Sequence, residues 1–138
     1  MARPYHKKRS RWAAAVMAKH YPDWPDWDEQ VPLYDFRGWD IPTIESVGPL
    51  TFTRTMPRAD LIALKRNEIL IIEFDNTMVL MNISHLDRYI DAIKHEYLRP
   101  EWRTRTLHAV YVTPGFDARF QHECRLKGYR YIVEPVPP

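Results

Sequence analysis

The chain has little of what several common functions require. Only 4 of its 138 residues are glycine, and no P-loop, GxGxxG or GxSxG string is present. Backbone loops that cradle phosphates, and strained turns that expose a nucleophilic serine, are therefore largely excluded. The single cysteine, Cys124, cannot close an internal disulfide and has no CxxC partner, so it reads as a small core residue in a chain suited to a reducing, cytoplasmic setting. The 6 histidines (His6, His20, His85, His95, His108, His122) show no HExxH or comparable spacing, which argues against a zinc site. No apolar run approaches the roughly 18 residues that cross a bilayer, and no membrane association is expected.

What is present is enough for a core. Hydrophobic residues make up 45% of the chain and aromatics 13%, and a single domain of this length buries roughly two-thirds of its unfolded surface. Formal net charge is only +2, but its distribution is uneven: Arg3, Lys7, Lys8, Arg9 and Arg11 open the chain, and Asp23, Asp26, Asp28 and Glu29 follow. The basic segment reads as a solvated terminus, with Lys7 and Lys8 as candidate phosphate contacts.

Residues 9–20 hold good helix formers behind Ser10, a candidate N-cap, and Pro22 closes the helix. Residues 21–49 carry five prolines with Trp24, Trp27 and Trp39, and are expected to wrap irregularly over the core. The organisation expected is thus residues 1–49, a basic tail, helix and wrap, followed by residues 50–138, an α/β core, in one compact domain. Alternation over residues 50–56 predicts a half-exposed strand. Residues 60–65 and 69–75 predict a hairpin turned at residues 66–68, its Ile69-Leu70-Ile71-Ile72 run marking a central strand buried on both faces. Ser84 followed by Asp87 resembles a capping box, and Leu86, Tyr89, Ile90, Ile93 and Tyr97 recur at helical spacing. A strand over 107–113, a helix over 116–127 stopped by Gly128, and a closing strand over 129–136 complete the order α-β-β-β-α-β-α-β. The last β-α-β unit implies a parallel pair, hence a mixed sheet flanked by helices.

The chemistry-bearing feature is acidic. Glu73 and Asp75 end an otherwise aliphatic strand and share a face, and an antiparallel hairpin brings Asp60 toward them. Such carboxylates either pair with Arg58, Lys65 or Arg88, or bind a hard cation; oxygen ligands of this kind suit Mg²⁺ or Mn²⁺. Arg99, Arg103 and Arg105 around Trp102 are loop residues expected near this cluster as nucleic-acid contacts.

Pro57-Arg58-Ala59-Asp60 followed by Glu73-Phe74-Asp75 resembles the PD-(D/E)XK motif of metal-dependent nucleases, over about residues 50–136. The likeness implies a restriction-endonuclease-like α/β core, with Asp60, Glu73 and the Phe74 carbonyl as metal ligands and DNA as substrate. Ser84-His85-Leu86-Asp87-Arg88-Tyr89 resembles the Gln-xxx-Tyr helix of RecB-like members, placing His85, Arg88 and Tyr89 beside a substrate phosphate. The string Glu73-Phe74-Asp75-Asn76-Thr77 is also similar to a stretch of phage and plasmid replication-relaxation proteins, which implies a phage or mobile-element setting. One position departs from the pattern, because Asp75 stands where the family has its catalytic lysine. Three alternatives follow: Lys65 or Lys94 reaches in, Asp75 is a further metal ligand, or catalysis is lost. Two functions remain, a Mg²⁺- or Mn²⁺-dependent DNA endonuclease and an inactive nuclease-fold module that binds nucleic acid, a protein partner or a second copy of itself.

Overall fold

A computed structural model describes residues 4–33, 58–95 and 100–138. In chain order the elements are α1 (Pro4–His20), β1 (Trp27–Pro32), β2 (Arg58–Lys65), β3 (Glu68–Phe74), α2 (Ile83–His95), β4 (Thr106–Thr113), α3 (Ala118–Lys127) and β5 (Arg130–Val133). Short 3₁₀ turns occupy Leu80–Asn82 and Pro100–Trp102. Among the described residues, helices and strands follow the order the sequence predicts, with Trp27–Pro32 as the first described strand. β1 comes from the stretch expected to be irregular, whereas residues 50–56, expected as a strand, lie outside the described residues. Proline is tolerated in β1 because, among the described residues, this strand lies at the sheet edge and Pro32 is its last residue.

The five strands run in the order β1-β2-β3-β4-β5. The β1–β2 and β2–β3 pairs are antiparallel, and the β3–β4 and β4–β5 pairs are parallel. Parallel neighbours need crossovers, and α2 and α3 supply them. β3 is the middle strand, as its unbroken aliphatic run requires: Ile69, Leu70, Ile71 and Ile72 are all 0% exposed. Period-2 alternation divides these side chains between two cores. Ile69 and Ile71 pack with Leu86, Ile90 and Ile93 of α2 and with Phe120 and Cys124 of α3. Leu70, Ile72 and Phe74 pack with Trp12, Val16 and Met17 of α1. The Trp12 and Phe74 ring centroids are 5.1 Å apart, and Trp12 Nε1 donates to the Glu134 carbonyl at 2.8 Å.

Helix starts differ from the sequence reading in instructive ways. α1 begins at Pro4, a residue suited to a first turn where no N–H partner is needed, so Ser10 lies inside the helix. Lys7 and Lys8 fall in the first turns of α1. α2 emerges from the 3₁₀ turn at Ile83, and Ser84 Oγ donates to the Met81 carbonyl at 2.8 Å instead of capping. α3 is capped by Asp117, which accepts from the Arg119 N–H at 2.9 Å, and ends at Gly128, whose φ of 78° is the left-handed C-terminal conformation.

Candidate functional site

Register places the two motif carboxylates side by side. Ile62 pairs with Ile71 across β2 and β3. Moving two residues along each strand keeps the same face and reaches Asp60 and Glu73. Both are buried, at 8% and 6% exposure. Asp60 is held at both oxygens: Oδ2 accepts the Phe74 N–H at 2.9 Å, and Oδ1 accepts from Gln30 Nε2 at 3.2 Å. Glu73 faces α2, where His85 Nδ1 lies 3.7 Å from its Oε2. That separation exceeds a hydrogen bond, so the contact is an ion pair when the imidazole is protonated. His85 and Tyr89, four residues apart, lie on one side of α2 and reach the same space. The result is a cleft of about 390 Å³ lined by Gln30, Asp60, Glu73, Phe74, His85 and Tyr89. Arg58 and the polar residues Asn76, Thr77 and Asn82 line it as well.

Asp75 also borders the cleft and is buried, but its oxygens face a ring of donors. Oδ1 accepts from the Thr77 N–H (2.9 Å), Thr77 Oγ1 (2.7 Å) and the Met78 N–H (3.0 Å). Oδ2 accepts from the Tyr111 hydroxyl at 2.8 Å and from Asn82 Nδ2 at 3.4 Å. Asp75 therefore ties the segment after β3 to β4 and sets the entry into α2. Met78 in this segment has φ of 56°, a left-handed conformation. Burial first, and the bond to Asp75 second, push the Tyr111 phenol well above the ordinary tyrosine pKa, so it remains a donor.

Several residues singled out in the sequence lie elsewhere. Lys65 sits opposite Glu68, at the other end of β2 from Asp60, where Nζ pairs with Asp23 Oδ2 at 2.6 Å and lies 5.2 Å from the Trp24 ring centre. Lys94 is nine residues beyond His85, which on a helix turns it to the opposite side. Arg88 is exposed on α2 and does not line the cleft. Arg105 donates to the carbonyls of Arg66 and Glu68 and so caps the β2–β3 turn. Because Thr106 pairs with Glu68, the Arg103–Arg105 loop is at the end of the sheet away from Asp60 and Glu73, not beside them as expected. Arg99 lies outside the described residues.

Among the described residues, no three His, Cys, Asp or Glu side chains gather in a metal-holding group. Among the same residues no helix is long and apolar enough to cross a membrane.

No protein-family model matches the sequence, and no curated protein does. Solved structures do match. A repair endonuclease from Pyrococcus abyssi superposes with a TM-score of 0.57 at 14% identity, over 99% of this chain and 50% of that one. The fold is restriction-endonuclease-like. A structure of an EndoMS–dsDNA complex superposes with a TM-score of 0.51 at 14% identity, over 94% of this chain and 45% of that one. The chain thus spans about half the length of the nuclease structures it matches.

Within this restriction-endonuclease-like fold, the carboxylates are legible in the sequence because a charged pair at the end of an aliphatic strand breaks its pattern. Gln30 is not, since it lies in an acid- and proline-rich stretch without periodicity. Arg58 opens β2 and lines the cleft, a position that its ion-pairing potential alone does not reveal.

Proposed function

We propose that the chain is a divalent-metal-dependent nuclease-like protein that hydrolyses phosphodiester bonds in DNA. The observation that carries this reading is the buried Asp60 and Glu73 pair on the α2 face of adjacent strands, opening into a polar cleft. The donor set suits the ion: Mg²⁺ and Mn²⁺ take hard oxygen ligands, and Mg²⁺ needs only one or two carboxylates, completing its shell with waters and phosphate oxygens. Asp60, Glu73 and the Phe74 carbonyl are the residues that would hold it. When bound, such an ion lowers the pKa of a water and offsets negative charge building at the phosphate.

The chain's own residues have separable tasks. The Phe74 N–H and Gln30 fix the orientation of Asp60. His85 and Tyr89 flank the space a scissile phosphate would occupy, and Arg58 supplies a cation at its edge. Asp75 is a positioning residue that holds the Asn76–Thr77 segment against the cleft instead of acting as a ligand. DNA as substrate is supported by the fold shared with a repair endonuclease and with EndoMS in its complex with dsDNA. Work in the DNA transactions of a phage or mobile element is a further part of the proposal that rests on the short sequence likeness alone.

The test is a nicking assay on supercoiled DNA with Mn²⁺. Wild type should nick, and Glu73→Ala should not, while melting no lower than wild type. Absence of cleavage with every divalent ion tried sinks the enzyme reading.

One observation favours a second reading, a module that binds DNA without cutting it. No lysine is among the described residues that line the cleft, and loss of one transition-state donor costs about two to three powers of ten in rate. On that reading Glu73→Ala leaves DNA affinity unchanged or raises it, since removing a carboxylate lessens repulsion of the phosphates, and no variant or wild-type sample cuts.

A further inference from the structure

Gln30 has a backbone conformation that its strand does not call for. It lies inside β1, flanked by the ladder pairs Glu29 with Leu61 and Val31 with Ala59, yet its φ is 52°. A non-glycine residue with positive φ is uncommon, and a long side chain gains nothing locally from it. Strand neighbours continue on both sides, so the departure is confined to one residue. No tight turn explains it, in contrast to Arg66, whose φ of 53° lies at the β2–β3 reversal.

The side chain shows what accompanies the strain. Half-buried Gln30 lines the cleft, and Nε2 donates to Asp60 Oδ1 at 3.2 Å. The other oxygen of the same carboxylate accepts the Phe74 N–H from β3 at 2.9 Å. Asp60 is thus gripped from the strands on either side of β2, and a carboxylate held at both oxygens does not swing. Observed backbone strain beside a cleft points to a constraint imposed by function. Groups that orient a metal-binding side chain without touching the ion typically alter affinity by about 10- to 100-fold when removed.

We infer that Gln30 is a positioning residue that sets the Asp60 carboxylate for a divalent cation. The inference rests on the metal-dependent reading of the same cleft. It assigns a role to a residue from the acid- and proline-rich segment upstream of the motif, through a backbone distortion instead of a direct contact with ion or substrate.

Positioning and structural roles predict different combinations of two measurements on the full chain, Mn²⁺ affinity by titration calorimetry and melting temperature without metal. Glycine relaxes the positive φ, so Gln30→Gly should melt at or above the wild-type temperature while its Kd for Mn²⁺ rises about 10- to 100-fold. Gln30→Asn tolerates the left-handed backbone but is one methylene shorter, and should also lose affinity without losing stability. Affinity within twofold of wild type in both variants overturns the inference, as does an affinity loss that occurs only together with a lowered melting temperature in both. If wild type itself binds no Mn²⁺, the metal-dependent reading fails and the positioning role falls with it. If wild type binds and the variants bind equally well, only the positioning role fails.

Discussion

Asp75 stands where the PD-(D/E)XK pattern has lysine, and its surroundings give it a different task. It accepts from two backbone N–H groups, two hydroxyls and an amide, and the Tyr111 hydroxyl among them is buried. Hydrogen bonds to a charged acceptor each contribute about 1.5–3 kcal/mol, and stranded donors add to the loss when the acceptor goes. Asp75→Ala should therefore destabilise the fold by about 3 kcal/mol in urea unfolding. Unchanged stability would contradict the structural role and return Asp75 to the candidates for chemistry. Tyr111 gives a pH prediction. Its folded pKa is raised, by burial and then by Asp75, so the stability it contributes is present below the unfolded tyrosine pKa of about 10 and is lost as pH rises beyond it. Tyr129 shares this direction, through burial and its bond to Asp87. Tyr111→Phe should thus show a shallower, not absent, stability loss between pH 8 and 11 than wild type.

At the scale of elements, periodic hydrophobicity carried most of the information. β3 was legible because four successive aliphatic residues fit only a strand buried on both faces, and α2 because Leu86, Ile90 and Ile93 recur on one side. The Asp60 and Glu73 pairing followed from the same hairpin. β1 was not legible, since Asp28, Glu29 and Pro32 give no strand pattern and its partner β2 lies about thirty residues on in sequence; pairing of that kind is decided by tertiary contacts. The place of Lys65 was not legible for a related reason. Asp60 and Lys65 are near in sequence, but five residues of extended strand separate them by about 17 Å. The helix stop at Gly128 was legible and can be tested. A Cβ at this position meets no atom within 4 Å, so Gly128→Ala should cost only the left-handed backbone penalty, about 1–2 kcal/mol. A larger loss in thermal or urea unfolding would show that crowding also acts there.

For the molecule as a whole, the sheet has two chemically distinct ends. Arg58 borders the cleft at the end that carries Asp60 and Glu73, whereas Lys65 and Arg105 are engaged at the other by Asp23 and by the turn carbonyls. On the proposed function, DNA lying across the cleft would meet the first group. Arg58→Ala should weaken DNA binding and reduce the slope of log affinity against log salt by about 1, whereas Arg103→Ala should change neither. A larger effect of Arg103→Ala than of Arg58→Ala would place DNA along the opposite end of the sheet. The central claim, that Asp60 and Glu73 form a divalent-cation site, is tested most directly by an Mn²⁺-soaked crystal measured with anomalous diffraction. The account predicts a single strong anomalous peak within coordination distance of both carboxylates, absent from Glu73→Ala crystals. No peak there, or a cationic side chain filling the space between the two carboxylates, would contradict it.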